Sequence, residues 1–160
     1  MLTDYQAEPA NNPSIQRLVL ACGNTLRGDD GVGWQIAAQL EPSLSKADDA
    51  LVVTQQLLPE HAELITRARV VVFTDCSAQA EPGRVQSIPI TPADELPRIL
   101  THHLDPASLL RLALDLYGKI PSRATAVTVG GDFFELSEEL SAPVAAAIPK
   151  ALLAVLHALR

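Results

Sequence analysis

Residues 17–40 read RLVLACGNTLRGDDGVGWQIAAQL, and this stretch decides the fold. Arg17 to Cys22 is a short apolar run closed by Gly23, which reads as a buried strand. Beyond the glycine-rich loop from Gly23 to Gly33, Val32, Ile36, Ala37 and Leu40 recur at helical spacing, and Pro42 follows the stop. A buried strand, a polar turn and an amphipathic helix, in that order, open an α/β unit.

The same alternation continues downstream. Residues 51–57, LVVTQQL, read as a second strand, and residues 61–66 as a short helix. Residues 69–75, RVVVFTD, form the clearest strand, continuously apolar and so buried on both faces. Residues 84–90, RVQSIPI, alternate like an edge strand, a position that Pro89 supports. A proline-interrupted loop follows. Residues 106–117 form an amphipathic helix, with Pro106 at its first turn and Gly118 as its stop. Residues 125–129, TAVTV, give another strand, and residues 143–159 an alanine- and leucine-rich helix in which Pro149 predicts a kink or a break. The expected fold class is α/β: a three-layer sandwich with a twisted, mostly parallel sheet and helices on both faces. Residues 1–16 read as a flexible tail, and residues 17–160 as a single domain.

Composition narrows the function classes. Hydrophobic residues make up 48% of the 160, enough to bury a core without disulfides. The formal charge of −7 argues against a nucleic-acid binder, which needs a cationic surface for counterion release. Cys22 and Cys76 give no disulfide framework. No stretch approaches the ~20 apolar residues of a membrane span, and no basic-then-apolar leader opens the chain, so the expected location is cytoplasmic.

In a parallel α/β sheet, ligands bind at the carboxyl ends of the strands. Three such places carry polar chemistry: Asn24, Asp29 and Asp30 after the first strand, Asp75 at the end of the 69–75 strand, and His102, His103 and Asp105 before the 106–117 helix. Two carboxylates and an imidazole from separate loops are a donor set for one divalent ion such as nickel, zinc or manganese. Each residue also has an ordinary reading. One of Asp29 and Asp30 caps the following helix, Asp75 closes a turn, Asn24 stitches its loop, and the glycines supply tight turns. The loop is not a dinucleotide fingerprint, because its glycines do not follow G-x-G-x-x-G and paired aspartates repel a pyrophosphate. The two cysteines stand at the ends of adjacent strands, where their thiols are expected to be close.

Taken together, these motifs resemble a known family. LVLACGNTLRGDDGVGWQIAAQL is similar to the N-terminal signature of the nickel–iron hydrogenase maturation endopeptidases, G-N-x-L-x-x-D-[DE]-x-x-G. The likeness continues through VVVFTDCSAQAEPGRV, THHLDPASLLRLALDLYG and AVTVGGDFFELSEELSAPVAAAIPKALLAVL, in order, over residues 18–159. The resemblance implies removal of a C-terminal extension from a hydrogenase large subunit after nickel insertion. It also implies nickel contacts from a loop carboxylate, a strand aspartate and a histidine, which fall on Asp30, Asp75 and His102. His102 fits the family's H-x-L pattern through Leu104, and His103 is the one-residue alternative. Cys22 and Cys76 depart from the family's usual aliphatic and small residues at their positions.

On this reading the partner is the large-subunit precursor, the protein is a monomer with no nucleic-acid or membrane partner, and nickel comes with the substrate rather than residing in the purified protein. Cleavage is either aspartic-type, with a carboxylate as general base, or metal-assisted. Two other classes stand beside it: a non-catalytic nickel-dependent binding module or chaperone for the precursor, and a metal-dependent hydrolase of a small molecule.

Overall fold

A computed structural model describes residues 14–97 and 104–160. The expected tail therefore lies outside the described residues up to position 13, as do His102 and His103.

The first strand, β1 (Ile15–Cys22), begins two residues earlier than its apolar run suggests, so Ile15 and Gln16 belong to the sheet rather than to a tail. It leads into α1 (Val32–Leu40). There follow β2 (Asp49–Thr54), α2 (His61–Thr66), β3 (Ala68–Ser77), β4 (Val85–Pro89), α3 (Pro106–Tyr117), β5 (Arg123–Gly130) and α4 (Ala142–Ala158). The sheet order is β2-β1-β3-β5-β4, parallel except for β4, an antiparallel edge strand ending on Pro89.

Both sheet faces are covered. On one, α2 and α3 bury Ala62, Ile65, Leu109 and Leu110 against Leu18, Leu20, Val71 and Phe73. On the other, α1 and α4 bury Val32, Ile36, Val144 and Val155 against Val19, Val72, Val127 and Val129. Alternate residues of each strand feed opposite cores, which is why residues 18–22 of β1 and 70–73 of β3 carry no charged or amide side chain. The expected three-layer sandwich is thus present.

Two boundaries differ from the sequence reading. β2 is shifted toward the amino end, because Asp49 pairs with Arg17 in register and bonds its guanidinium, while the Thr54 hydroxyl turns back to donate to the Gln56 carbonyl. The residues after it leave the sheet, and Leu57 buries into the core instead. The break expected at Pro149 does not occur, since α4 runs unbroken through it. Proline deprives the Ala145 carbonyl of its partner, but Ala145 and Pro149 both face solvent, where water replaces the lost bond.

From β1 the chain crosses to β2 by α1 on one face, then returns past β1 to β3 by α2 on the other. Strand order reverses between β1 and β3, and the crevice at their carboxyl ends is where such sheets hold ligands.

Candidate functional site

At the end of β1 the chain doubles back sharply. Gly23 has φ of 141°, and a Cβ there would run into the Asp30 carbonyl oxygen, so only glycine closes this loop. The Asn24 side chain accepts from the Leu26 backbone N–H at 2.9 Å, confirming its stitching role. The Asn24 backbone N–H donates to Asp30 Oδ2 at 2.8 Å, which fixes that carboxylate at the mouth of the loop. Asp30 lines a cavity of about 410 Å³ with Asn24, Arg27, Gln55, Gln56, Ala78 and Phe134.

Its neighbour Asp29 points elsewhere. It is fully buried and accepts from the backbone N–H groups of Asp132, Phe133 and Ser141 and from the Ser141 hydroxyl, at 2.7 to 3.1 Å. Burial pushes its pKa up, but these hydrogen bonds outweigh burial and hold it below the usual carboxylate value. The expected cap for the following helix is thus corrected: neither the short turn at Gly28–Gly31 nor α1 has a side-chain cap, and Asp29 instead ties the loop to residues far along the chain. Gly131 allows this, since a Cβ there would meet the Asp29 Cβ at 2.7 Å.

Asp75 lies near the carboxyl end of β3, and the register Ala21↔Thr74 places Cys22 beside it. Its Oδ1 accepts from the Cys76 backbone N–H at 2.7 Å. Burial pushes its pKa up to about 6, the bond from Cys76 opposes this, and the charge of Asp30 adds to it. The charge of Asp30 in the neighbouring loop thus acts on Asp75. Asp75 is not among the residues that line the cavity.

Of the third group, the structure describes only the flank. Leu104 is buried in the α2–α3 core, on the sheet face where Cys22 packs, and Asp105 is the N-cap of α3, accepting from Ser108 N at 2.7 Å. Asp105 is thus structural, while His102 and His103 lie outside the described residues. Among the described residues no group of three His, Cys, Asp or Glu side chains is arranged to hold a metal ion.

The cysteines are separated rather than close. Cys22 packs into the α2–α3 core, whereas Cys76 packs against the opposite one. Burial, with the charges of Asp75 and Asp30 adding to it, pushes both thiols up to about 12, the reverse of what a thiolate nucleophile needs. Sequence reasoning missed the clasp of Asp29 and the cavity residues Arg27, Gln55, Gln56 and Phe134. Gly131, close against Asp29, and Gly28, close against the Phe133 backbone, are the sequence signals of that close approach.

No protein-family model and no curated protein matches the sequence. Solved structures do match. The hydrogenase maturating endopeptidase HybD from E. coli is 27% identical with a TM-score of 0.73, covering 91% of this chain and 93% of its own. A hydrogenase 2 maturation peptidase from a Thaumarchaeota archaeon is 27% identical with a TM-score of 0.65, covering 90% and 97%. An E. coli endopeptidase solved in solution is 26% identical with a TM-score of 0.68, covering 91% and 93%.

Proposed function

We propose, from the premise that this chain belongs to the hydrogenase maturation endopeptidase family, that it removes the C-terminal extension of a nickel–iron hydrogenase large subunit after nickel insertion. What supports the reading is Asp75 near the carboxyl end of β3 and Asp30 in the loop that follows β1, where strand order reverses, with the charge of Asp30 acting on Asp75. On this reading the nickel is part of the substrate, held by the precursor's own thiolates. Asp30, Asp75 and His102 supply the further oxygen and nitrogen donors, so only a loaded precursor docks productively.

The residues have divided roles in this scheme. Asn24 holds Asp30 through its backbone N–H, and Asp29 fixes the loop from behind without touching the ion. The cavity beside Asp30 accepts the peptide. Its amide side chains, Gln55 and Gln56, are suited to bond an extended backbone. Hydrolysis then follows one of two routes, a carboxylate acting as general base on water or a metal-polarised carbonyl or water.

Incubating the protein with nickel-loaded large-subunit precursor, and reading the mass of the product, tests the proposal. A shortened product with wild type, and intact precursor with Asp30→Asn or His102→Ala, is expected. Processing at the wild-type rate by both variants would sink the site assignment. Stable nickel-dependent binding with no shortened product would instead favour a non-catalytic binding module.

A further inference from the structure

Beside the cavity, residues 132–141, DFFELSEELS, form a loop laced to the loop that follows β1. Gly28 N donates to Ser137 O at 2.8 Å, Ser137 N to Leu26 O at 3.1 Å, and Asp29 N to Phe133 O at 2.8 Å. The Asp29 carboxylate clasps both ends of the same loop, and the Ser137 hydroxyl accepts from Glu139 N inside it. Despite this anchoring, Leu136 is 87% exposed and Leu26 is 49% exposed. Phe134, two residues from Leu136, lines the cavity next to Asp30.

A large apolar side chain held in water on a loop fixed by so many bonds gains nothing for folding. It is already ordered for contact, so a partner that covers it loses little further conformational freedom. The surrounding charge specifies that partner. Asp132, Glu135, Glu138 and Glu139 are exposed on the same loop, and none forms an ion pair with another described residue. Arg27 is the one cation among the described residues that line the cavity.

We infer that Leu26, Phe134 and Leu136, on two laced loops of which one carries these carboxylates, are the docking rim for the precursor segment next to the cut, and that this segment pairs a large apolar side chain with lysine or arginine. The inference rests on the proposed endopeptidase reading and deepens it. Apolar anchors fill the lip while rim carboxylates steer a cationic segment, an effect that salt screens. The rim adjoins the cavity through Phe134, so one extended segment spans both.

The test compares wild type with Leu136→Ala and with the double variant Glu138→Gln, Glu139→Gln, using nickel-loaded precursor as the probe. All three positions lie outside the proposed cleavage machinery. KM for processing and the Kd of the precursor by calorimetry are measured in parallel, with thermal melts as the folding control. Each variant is expected to raise KM and Kd about tenfold, leave kcat within about twofold, and melt with wild type. Added salt should raise Kd for wild type more steeply than for the glutamine variant. Unchanged KM and Kd in both variants overturn the rim, as does a fall in kcat at constant KM. A wild type that binds precursor but never shortens it overturns the proposed activity instead, and the Kd series then judges the rim alone.

Discussion

The two ends of the sheet treat buried aspartate in opposite ways. At the amino end, Asp49 is 1% exposed but meets the Arg17 guanidinium through two hydrogen bonds and the Ser45 N–H through a third. Its pKa is pushed up by burial and pulled further down by these partners, to a net value below normal. At the carboxyl end, Asp75 and Asp30 form no ion pair with a described residue, and Asp75 rises to about 6. One end is complete in itself. The other carries carboxylates that no described residue neutralises, and unneutralised charge at the end of a sheet is where a functional site is sought.

The strongest way to break the comparison is at the incomplete end. Asp30→Asn should cut processing of nickel-loaded precursor by about a hundredfold or more while shifting the melting point little, since Asp30 is half exposed. A variant that processes normally would make the acidic pair ornamental. The neighbouring Asp29→Ala should do the reverse and act first on stability. It strands the donors of Asp132, Phe133 and Ser141, and the expected loss in a denaturant titration is about 3 kcal/mol.

At the complete end, Asp49→Asn should cost about 2 kcal/mol at pH 7, by the same measurement. The sign with pH follows from the depressed pKa. The contribution of Asp49 is fully present above its unfolded value, near 3.9, and is lost as pH falls through the lower folded value. Wild type and variant should therefore differ from pH 5 to 8 and converge only in stronger acid. The smallest effect, and the sharpest contrast, is Asp75→Asn. Removing a charge that burial and Asp30 both oppose should stabilise the metal-free protein by about 1 kcal/mol at pH 8. A variant less stable than wild type there would mean that Asp75 is already compensated.

Most of the fold was legible because the strands are short apolar runs with clean ends. Leu18 to Cys22 and Val70 to Phe73 feed two cores at once, and such runs have few other places to go. The failures share one cause, contacts distant in sequence. Nothing near residue 49 says that Arg17 will draw it into the sheet, and nothing near Pro149 says that its turn faces water. The candidate site divides in the same way. The sequence singled out Asp30 and Asp75 by place in the chain, and they lie in the loop after β1 and near the carboxyl end of β3. It could not separate a helix cap from a long-range clasp at Asp29, nor see that Cys22 and Cys76 lie on opposite faces. Strand alternation contained that last fact, but only once the register of β1 against β3 was known.

The clasp has a consequence in time as well as in space. Asp29 bonds residues 103 to 112 positions further along, so the loop behind Asp30 cannot be fully secured until Ser141 has been made. Contacts of such separation close late. A nascent chain that ends before Asp132 has β1, β3 and the Asp30 loop but none of the clasp that fixes that loop. The Asp30 loop is thus secured only by residues made more than a hundred positions after it.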